Sequence, residues 1–195
     1  MEFIRNLAKA HSLHIQIKDL HDGPRAYVMG DVVYLDRSLP PERMNFAFCH
    51  ELAHRVLGHF EQDILSVEME REANALAAEF LLPPETFRKD AVVHPLDQLK
   101  ELYPQASWEV IARSRLALMP AILTIFDNGK QTLRTASENF NYPPQLLPIE
   151  NQVLRRCMEK REHIEMREDL VRTNGYYVDT GEGVIRVLLW TEFDG

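Results

Sequence analysis

The chain has 195 residues, of which 45% are hydrophobic and 27% are charged. This composition is typical of a globular protein, and the length fits one domain or one domain with a small appendage. Lysine and arginine total 22 against 30 aspartate and glutamate residues, which gives a formal net charge of −8. Because nucleic-acid affinity rests mainly on basic charge, direct nucleic-acid binding over a broad surface is not expected.

The sequence gives no indication of secretion or of membrane insertion. No apolar run approaches the roughly 18 residues of a membrane span, and the charged N-terminus lacks the apolar core of a signal peptide. Cys49 and Cys157 are the only two cysteines, and they lie far apart in the sequence. No disulfide framework is therefore expected. These features predict a cytoplasmic protein with reduced thiols and no membrane partner.

The first part of the chain is predicted to combine helices with a small sheet. Apolar residues at helical or alternating spacing predict a helix over 3–10, strands over 14–18, 26–29 and 31–36, and helices over about 43–59 and 66–82. Gly30 indicates a hairpin between the second and third strands. Pro83 and Pro84 are expected to end the last helix, because proline cannot continue its hydrogen-bond ladder.

The second part of the chain changes character near residue 120. The predicted elements are helices over 97–103 and 107–118, a hairpin formed by 122–126 and 131–134, a charged helix over about 150–172, and strands over 176–178 and 184–190. We therefore expect a domain over 1–119, including a helix–turn–helix-like pair at 96–118. The remainder, 120–195, is expected to be an α/β region that regulates activity or recognises a partner.

The segment His50-Glu51-Leu52-Ala53-His54 is an H-E-x-x-H motif on a predicted helix. Residues four apart lie on one helix face, so both imidazoles can reach a single ion. Zinc binds imidazole nitrogen and commonly keeps an open position in catalytic sites. Glu51 would then lie beside the ion, where it could take a proton from an attacking water molecule.

A third protein ligand is expected from the following helix, which carries four glutamates: Glu68, Glu70, Glu72 and Glu79. At about 100° per residue, Glu70 borders the apolar stripe of this helix, whereas Glu72 projects from the opposite side. Glu70 is therefore favoured as the metal ligand, and Glu72 remains the alternative. Asn74, one turn after Glu70, could orient a ligating histidine.

Two residues near the motif are not interpreted as metal ligands. His59 is out of register for the metzincin pattern, which needs histidine at the position of Phe60. We interpret His59 as a helix-end histidine with satisfied hydrogen bonds. Cys49 differs from His50 by about 100° in helix phase, so it is expected to be a buried thiol.

Three stretches together resemble the ImmA/IrrE-type metallopeptidases: Phe48-Cys-His-Glu-Leu-Ala-His54, Glu70-Arg-Glu-Ala-Asn74 and Phe80-Leu-Leu-Pro83. The resemblance is strongest over about residues 30–90. It implies a zinc peptidase of the gluzincin kind, with His50, His54 and Glu70 as ligands and Glu51 as the catalytic base. It also implies a cytoplasmic enzyme that inactivates a helix–turn–helix repressor or acts in toxin–antitoxin or phage immunity loci.

The predicted fold class is α+β: a zincin-like core with an H-E-x-x-H helix and a Glu-bearing helix, followed by a small α/β appendage. The predicted function is that of a zinc-dependent endopeptidase, which hydrolyses peptide bonds in a cytoplasmic protein such as a repressor or an antitoxin-type regulator. The alternative is a non-proteolytic, metal-stabilised module that disarms a repressor by binding it.

Two further segments are interpreted more simply. The pair over 97–116 has helix–turn–helix spacing, but its charge is close to balanced, and Leu99, Leu102 and Ile111 are expected to be core residues. Packing is therefore preferred to DNA binding. The region 120–195 is expected to contribute no metal ligand, because His163 is its only histidine and has no His or Cys one turn away.

Overall fold

A computed structural model describes residues 1–20, 23–61, 66–181 and 183–193. Within these ranges the chain forms seven α-helices, one short 3-10 helix and eight strands in two sheets. The chain divides into two compact units. Unit 1 consists of Met1–Lys89 and Gln98–Ile111, and unit 2 consists of Asp90–Asp97 and Ala112–Gly195. The predicted boundary between residues 119 and 120 remains a prediction.

Unit 1 contains a three-stranded sheet and most of the helices. Its elements are α1 (Glu2–Ala10), β1 (His14–Lys18), β2 (Ala26–Met29), β3 (Val32–Asp36), α2 (Pro41–Val56), a 3-10 helix (His59–Glu61) and α3 (Val67–Leu81). The sheet has the order β1-β3-β2, so β2 lies at one edge. β2 pairs antiparallel with β3, which confirms the predicted hairpin, and β1 pairs parallel with β3.

The two helices that carry the motif residues pack against each other in unit 1. α2 buries Phe48 and Leu52 completely, and α3 buries Ala73 and Ala77 completely. Alanine side chains at these two positions let the backbones of α2 and α3 approach closely. The N-terminus of α3 is capped by Ser66, whose hydroxyl accepts a hydrogen bond from the Met69 amide at 3.2 Å.

Three helices follow, and each contributes residues to both units: α4 (Pro84–Val93), α5 (Leu96–Leu102) and α6 (Trp108–Leu116). The pair α5 and α6 matches the predicted helix pair. Leu99 and Ile111 are fully buried as expected, but Leu102 is 51% exposed, so its assignment to the core was wrong. α4 was not predicted, because Pro84 was interpreted only as a terminator of the preceding helix. Proline is also well tolerated at the first position of a helix, where α4 places it.

Unit 2 contains a five-stranded antiparallel sheet and one helix. Its elements after α6 are β4 (Ile122–Asp127), β5 (Lys130–Ala136), α7 (Pro148–Lys160), β6 (Ile164–Glu168), β7 (Val171–Asp179) and β8 (Ile185–Phe193). The sheet has the order β5-β4-β8-β7-β6. α7 packs on the sheet through Ile149, Val153 and Cys157, which contact a cluster formed by Phe126, Val187 and Leu189.

The prediction of one charged helix over 150–172 was wrong. α7 ends at Lys160, where Arg161 adopts a left-handed conformation with φ of 59°. The chain then forms β6 and β7, which pair as a hairpin. The segment Ile164-Glu-Met-Arg-Glu168 alternates apolar and charged residues, which is the pattern of a strand, but its high charge obscured that alternation.

Among the described residues, no helix is both long enough and apolar enough to cross a membrane.

Candidate metal centre

Two histidines of α2 point their ring nitrogens at one another. His50 and His54 lie one turn apart on the same helix face, as the spacing in the sequence predicts. Their Nε2 atoms are 3.0 Å apart. Burial, followed by the proximity of His50, lowers the pKa of His54. Both effects favour a neutral imidazole, which has a free nitrogen lone pair.

The carboxylate of Glu70 on α3 completes a group of three donors. Its Oε2 lies 3.3 Å from Nε2 of His50, and its Oε1 lies 3.5 Å from Nε2 of His54. Ligands at about 2.0–2.1 Å from a tetrahedral zinc ion lie about 3.3 Å from one another. The three side chains therefore have both the chemistry and the spacing of a site for zinc or a similar divalent ion.

The other candidate ligand, Glu72, lies outside this group of donors. Its Oε2 contacts Nε2 of His59 at 3.2 Å. In the sequence, helix phase placed Glu70 and Glu72 on different sides of the predicted helix. α3 has the same arrangement in the structure. The structure thus brings together His50, His54 and Glu70, and it places Glu72 against a different histidine.

Glu51, the predicted catalytic base, has an unusual environment. Burial is the main cause that raises the pKa of its carboxyl group, to about 7, and the negative charge of Glu70 adds to the shift. The backbone N–H of Val28 on β2 donates a hydrogen bond to the carboxylate and opposes the rise. A carboxyl group with a pKa near neutrality can both accept and return a proton at physiological pH.

A cavity of about 360 Å³ lies beside the motif residues in unit 1. It is lined by Arg25, Ala26, Phe46, Ala47, His50, Glu51 and Asn74. Ala26 is the first residue of the edge strand β2, and the other lining residues include one ligand candidate and the candidate base. A chain segment that occupied this cavity would therefore lie next to both.

Sequence reasoning missed the environment of His59. This residue is only 4% exposed, and its Nδ1 lies 3.0 Å from Nδ1 of His54. Both ring nitrogens of His59 have hydrogen-bond partners, as interpreted. These partners are His54 and Glu72 rather than groups at the end of a helix. The signal available in the sequence was His59 following His54 by five residues across Gly58, at which a helix can end.

Asn74 does not have the orienting role that its position in the sequence suggested. It lines the cavity, but within the described part of the chain the buried Nδ1 of His50 has no hydrogen-bond partner, and Nδ1 of His54 contacts His59. Cys49 is fully buried, and burial raises the pKa of its thiol to about 12. That agrees with the expected buried, unreactive thiol.

Comparison with known proteins identifies the family. A family model for M78 peptidases, described as the IrrE N-terminal-like domain, matches residues 8–113, more than half of the chain. The chain belongs to this family. The match spans α2 and α3, so the M78 region includes His50, Glu51, His54 and Glu70. The family membership confirms the resemblance found in the sequence and indicates a metallopeptidase.

Comparisons beyond the M78 family model give the fold alone. No curated protein matches the chain significantly. One solved structure, a Mycobacterium tuberculosis transcriptional regulator, is similar with a TM-score of 0.66 and 16% sequence identity. The alignment covers 97% of this chain and 79% of the regulator, so the similarity extends well past the region that the M78 model matches.

Proposed function

We propose that the chain is a zinc-dependent endopeptidase that cleaves a regulatory protein in the cytoplasm. The observation that carries the proposal is the convergence of His50, His54 and Glu70 on one point, with the carboxylate of Glu51 beside it. Membership of the M78 family supports peptide-bond hydrolysis over other reactions that use the same ligands.

The residues of the site would have two roles: three would hold the ion, and one would transfer a proton. His50, His54 and Glu70 would hold zinc, which when bound would supply Lewis acidity for the water molecule and the scissile carbonyl. Glu51 would accept a proton from the attacking water and then donate it to the departing amine. The hydrogen bond from the Val28 amide keeps the Glu51 carboxylate beside β2.

The edge of β2 is a suitable place for an extended substrate. β2 pairs on one side with β3 and lies at the end of the sheet order, next to the cavity that Glu51 lines. An extended peptide could add to such an edge through backbone hydrogen bonds, while side chains enter the cavity. Backbone recognition of this kind suits a protein substrate with a flexible segment.

The proposed substrate class is a transcriptional repressor or an antitoxin-type regulator. The family resemblance in the sequence supports it. Residues 120–195 would then recognise the substrate or regulate the peptidase.

Zinc content tests the ligand assignment. Protein purified without chelators is expected to contain one zinc ion per chain, and Glu70→Ala should lose it because only two ligands remain. Glu79→Ala, which removes an exposed carboxylate from the same helix, serves as the control. If Glu72→Ala lost zinc while Glu70→Ala kept it, the assignment of Glu70 would be wrong.

Proteolysis tests the function itself. The protein would be incubated with repressors encoded by adjacent genes, and the products analysed by mass spectrometry. Cleavage is expected with the parent protein, whereas Glu51→Gln should keep zinc and lose cleavage by several orders of magnitude. Cleavage by Glu51→Gln at the parent rate would remove Glu51 from the mechanism.

The second candidate function is a metal-stabilised module that disarms a regulator by binding it. The observation that favours it is that one similar solved structure is described as a regulator rather than as a peptidase. In this case the Glu51→Gln protein would relieve repression in cells as fully as the parent does. Loss of relief in Glu51→Gln would favour the peptidase.

A further inference from the structure

A chain of polar contacts runs from the candidate ligand His54 away from the metal position. Nδ1 of His54 lies 3.0 Å from Nδ1 of His59, and Nε2 of His59 lies 3.2 Å from Oε2 of Glu72. His54 and His59 are 2% and 4% exposed, so little water competes for these contacts. The carboxylate of Glu72 lies at the more exposed end, with 53% of its side chain accessible.

The positions of the protons in this chain follow from the ligand role of His54. Neutral imidazole carries one proton, and Nε2 of His54 must be unprotonated to bind a metal ion, so its proton lies on Nδ1. His54 therefore donates to His59, whose Nδ1 must accept. The proton of neutral His59 then lies on Nε2, where the carboxylate of Glu72 accepts it.

We propose that His59 and Glu72 are positioning residues that fix the tautomer and the ring orientation of the metal ligand His54. The proposal rests on the proposed metal site and extends it to two residues outside the ligand set. It also explains why Glu72 faces away from the ligands yet contacts a buried histidine. His50 differs, because its Nδ1 is buried without a hydrogen-bond partner among the described residues. Among the described residues, only one of the two candidate histidine ligands, His54, therefore has a hydrogen-bond partner at its Nδ1.

Zinc affinity measured by competition with a chromophoric chelator tests the proposal without using peptidase activity. Loss of a hydrogen-bond partner behind a ligating histidine typically weakens metal binding about 10- to 100-fold. We expect weakening in this range for His59→Leu and for Glu72→Ala, with Glu79→Ala at the parent affinity. His59→Gln should recover most of the affinity, since its carbonyl can accept from His54 and its amide can donate to Glu72.

The variants also distinguish a positioning role from a merely structural one. His59 is buried, so His59→Leu is compared only after its fold has been checked by circular dichroism. Glu72→Ala changes a more exposed side chain and tests the proposal on its own. Parent-like zinc affinity in Glu72→Ala would overturn the proposal for Glu72. Equal weakening in His59→Leu and His59→Gln would overturn the hydrogen-bond explanation for His59.

Nitrogen-15 NMR of the histidine side chains gives a second readout in the zinc-loaded protein. His59 is expected as the Nε2–H tautomer, with unprotonated Nδ1. A His59 that carries its proton on Nδ1 would overturn the proposal. If the parent protein bound no zinc at all, the proposed function would fail at its first step. Zinc bound by the parent with equal affinity in every variant would refute only the role of His59 and Glu72.

Discussion

Asp36, at the end of β3, is a buried carboxylate whose hydrogen bonds link its ionisation to the stability of unit 1. Its Oδ1 accepts from the amide and from the hydroxyl of Ser38, each at 3.0 Å, and its Oδ2 accepts from the Arg25 guanidinium. The Ser38 amide and then Arg25 are the main causes that lower the pKa of Asp36 to about 2. The charged form of Asp36 is thus the form that the fold stabilises.

The pH dependence of stability should reflect this lowered pKa. An unfolded aspartate has a pKa of about 3.9, so the stabilisation from Asp36 is complete above about pH 4 and is lost as the pH falls towards 2. We expect Asp36→Asn to lower the free energy of unfolding at pH 7, and the difference from the parent to shrink as the pH falls below 4. Urea denaturation at several pH values measures this difference.

The control for Asp36→Asn is Asp19→Asn, which removes the same charge from an exposed ion pair with Arg37. Exposed pairs contribute little to stability, so Asp19→Asn should stay close to the parent at every pH. A constant difference between Asp36→Asn and the parent from pH 7 to pH 3 would show that the carboxylate has no special role.

Gly175 in β7 lies where no side chain fits. A Cβ atom at this position would come within 2.5 Å of both Sγ of Cys157 and Cγ1 of Val153, which are fully buried in α7. Gly175→Ala should therefore destabilise the protein by about 1–3 kcal/mol, the usual cost of overpacking a core. Urea unfolding followed by tryptophan fluorescence measures it, since Trp190 lies in the adjacent strand β8.

Gly23→Ala is the matched control for Gly175→Ala, because no atom of the described residues, apart from those of its chain neighbours, lies within 4 Å of the Cβ that it would add. Its midpoint should match that of the parent or rise slightly, since alanine restricts the unfolded chain. Equal midpoints for the two alanine variants would contradict the packing of α7 on β7.

At the scale of the secondary structure, the end of α7 is set by a residue in a strained conformation. Arg161 has φ of 59° and ψ of 40°, a left-handed conformation that costs about 1–2 kcal/mol for residues with a Cβ atom. Arg161→Gly should raise the free energy of unfolding by about 1 kcal/mol. Lys160→Gly, one residue earlier and still helical, should lower it by about the same amount. Denaturant unfolding of both variants should give opposite signs, and a common sign would refute the assigned end of α7.

The grouping of His50, His54 and Glu70 was predictable because it depends on local geometry. His50 and His54 follow from a spacing of four on one helix, and Glu70 follows from its phase on a second helix. The hydrogen bonds of His59 could not be predicted in the same way. They depend on how the backbone turns after α2, where Gly58 has φ of 72°. Hydrophobic periodicity does not predict the direction of that turn.

The fold was predictable where hydrophobic periodicity is strong. Elements were missed where charged residues or a proline mask that periodicity. The hairpins of β2 with β3 and of β4 with β5 follow from alternation around turn residues. The strand β6 was missed because three of its five residues are charged, and α4 was missed because it begins at a proline. Pairing with β7 supplies the stability that the local sequence of β6 does not indicate.

At the scale of the whole molecule, the second and longer segment of unit 2 begins inside α6, at Ala112. The contacts of Arg115 show what this means for truncation. Arg115 is 6% exposed; its Nε donates to the Ala91 carbonyl at 3.0 Å, and its guanidinium lies 4.8 Å from the centroid of the Trp190 ring and 3.6 Å from Glu192. A chain shortened to residues 1–119 would lack Trp190 and Glu192. The candidate ligands His50, His54 and Glu70 would all remain.

We expect the shortened chain to bind zinc while its residues 112–116 lose protection from hydrogen exchange. The reason is that the shortened chain lacks the aromatic and ion-pair contacts that Arg115 makes with Trp190 and Glu192, so the end of α6 has fewer contacts to hold it and should open. Hydrogen exchange followed by mass spectrometry measures both chains. Full protection of 112–116, or a folded shortened chain without zinc, would contradict this expectation.

The burial of both cysteines has a practical consequence for experiments in solution. Cys49 lies in unit 1 and Cys157 in unit 2; both are fully buried, and burial raises the pKa of their thiols to about 12 and about 11. Maleimide dyes react with the thiolate, so both native cysteines should stay unlabelled in the folded protein. Exposed positions such as Glu79 and Arg156 could then be replaced by cysteine and labelled in an otherwise native chain. Energy transfer between dyes at these two positions would report the distance between the units, with and without a bound substrate protein.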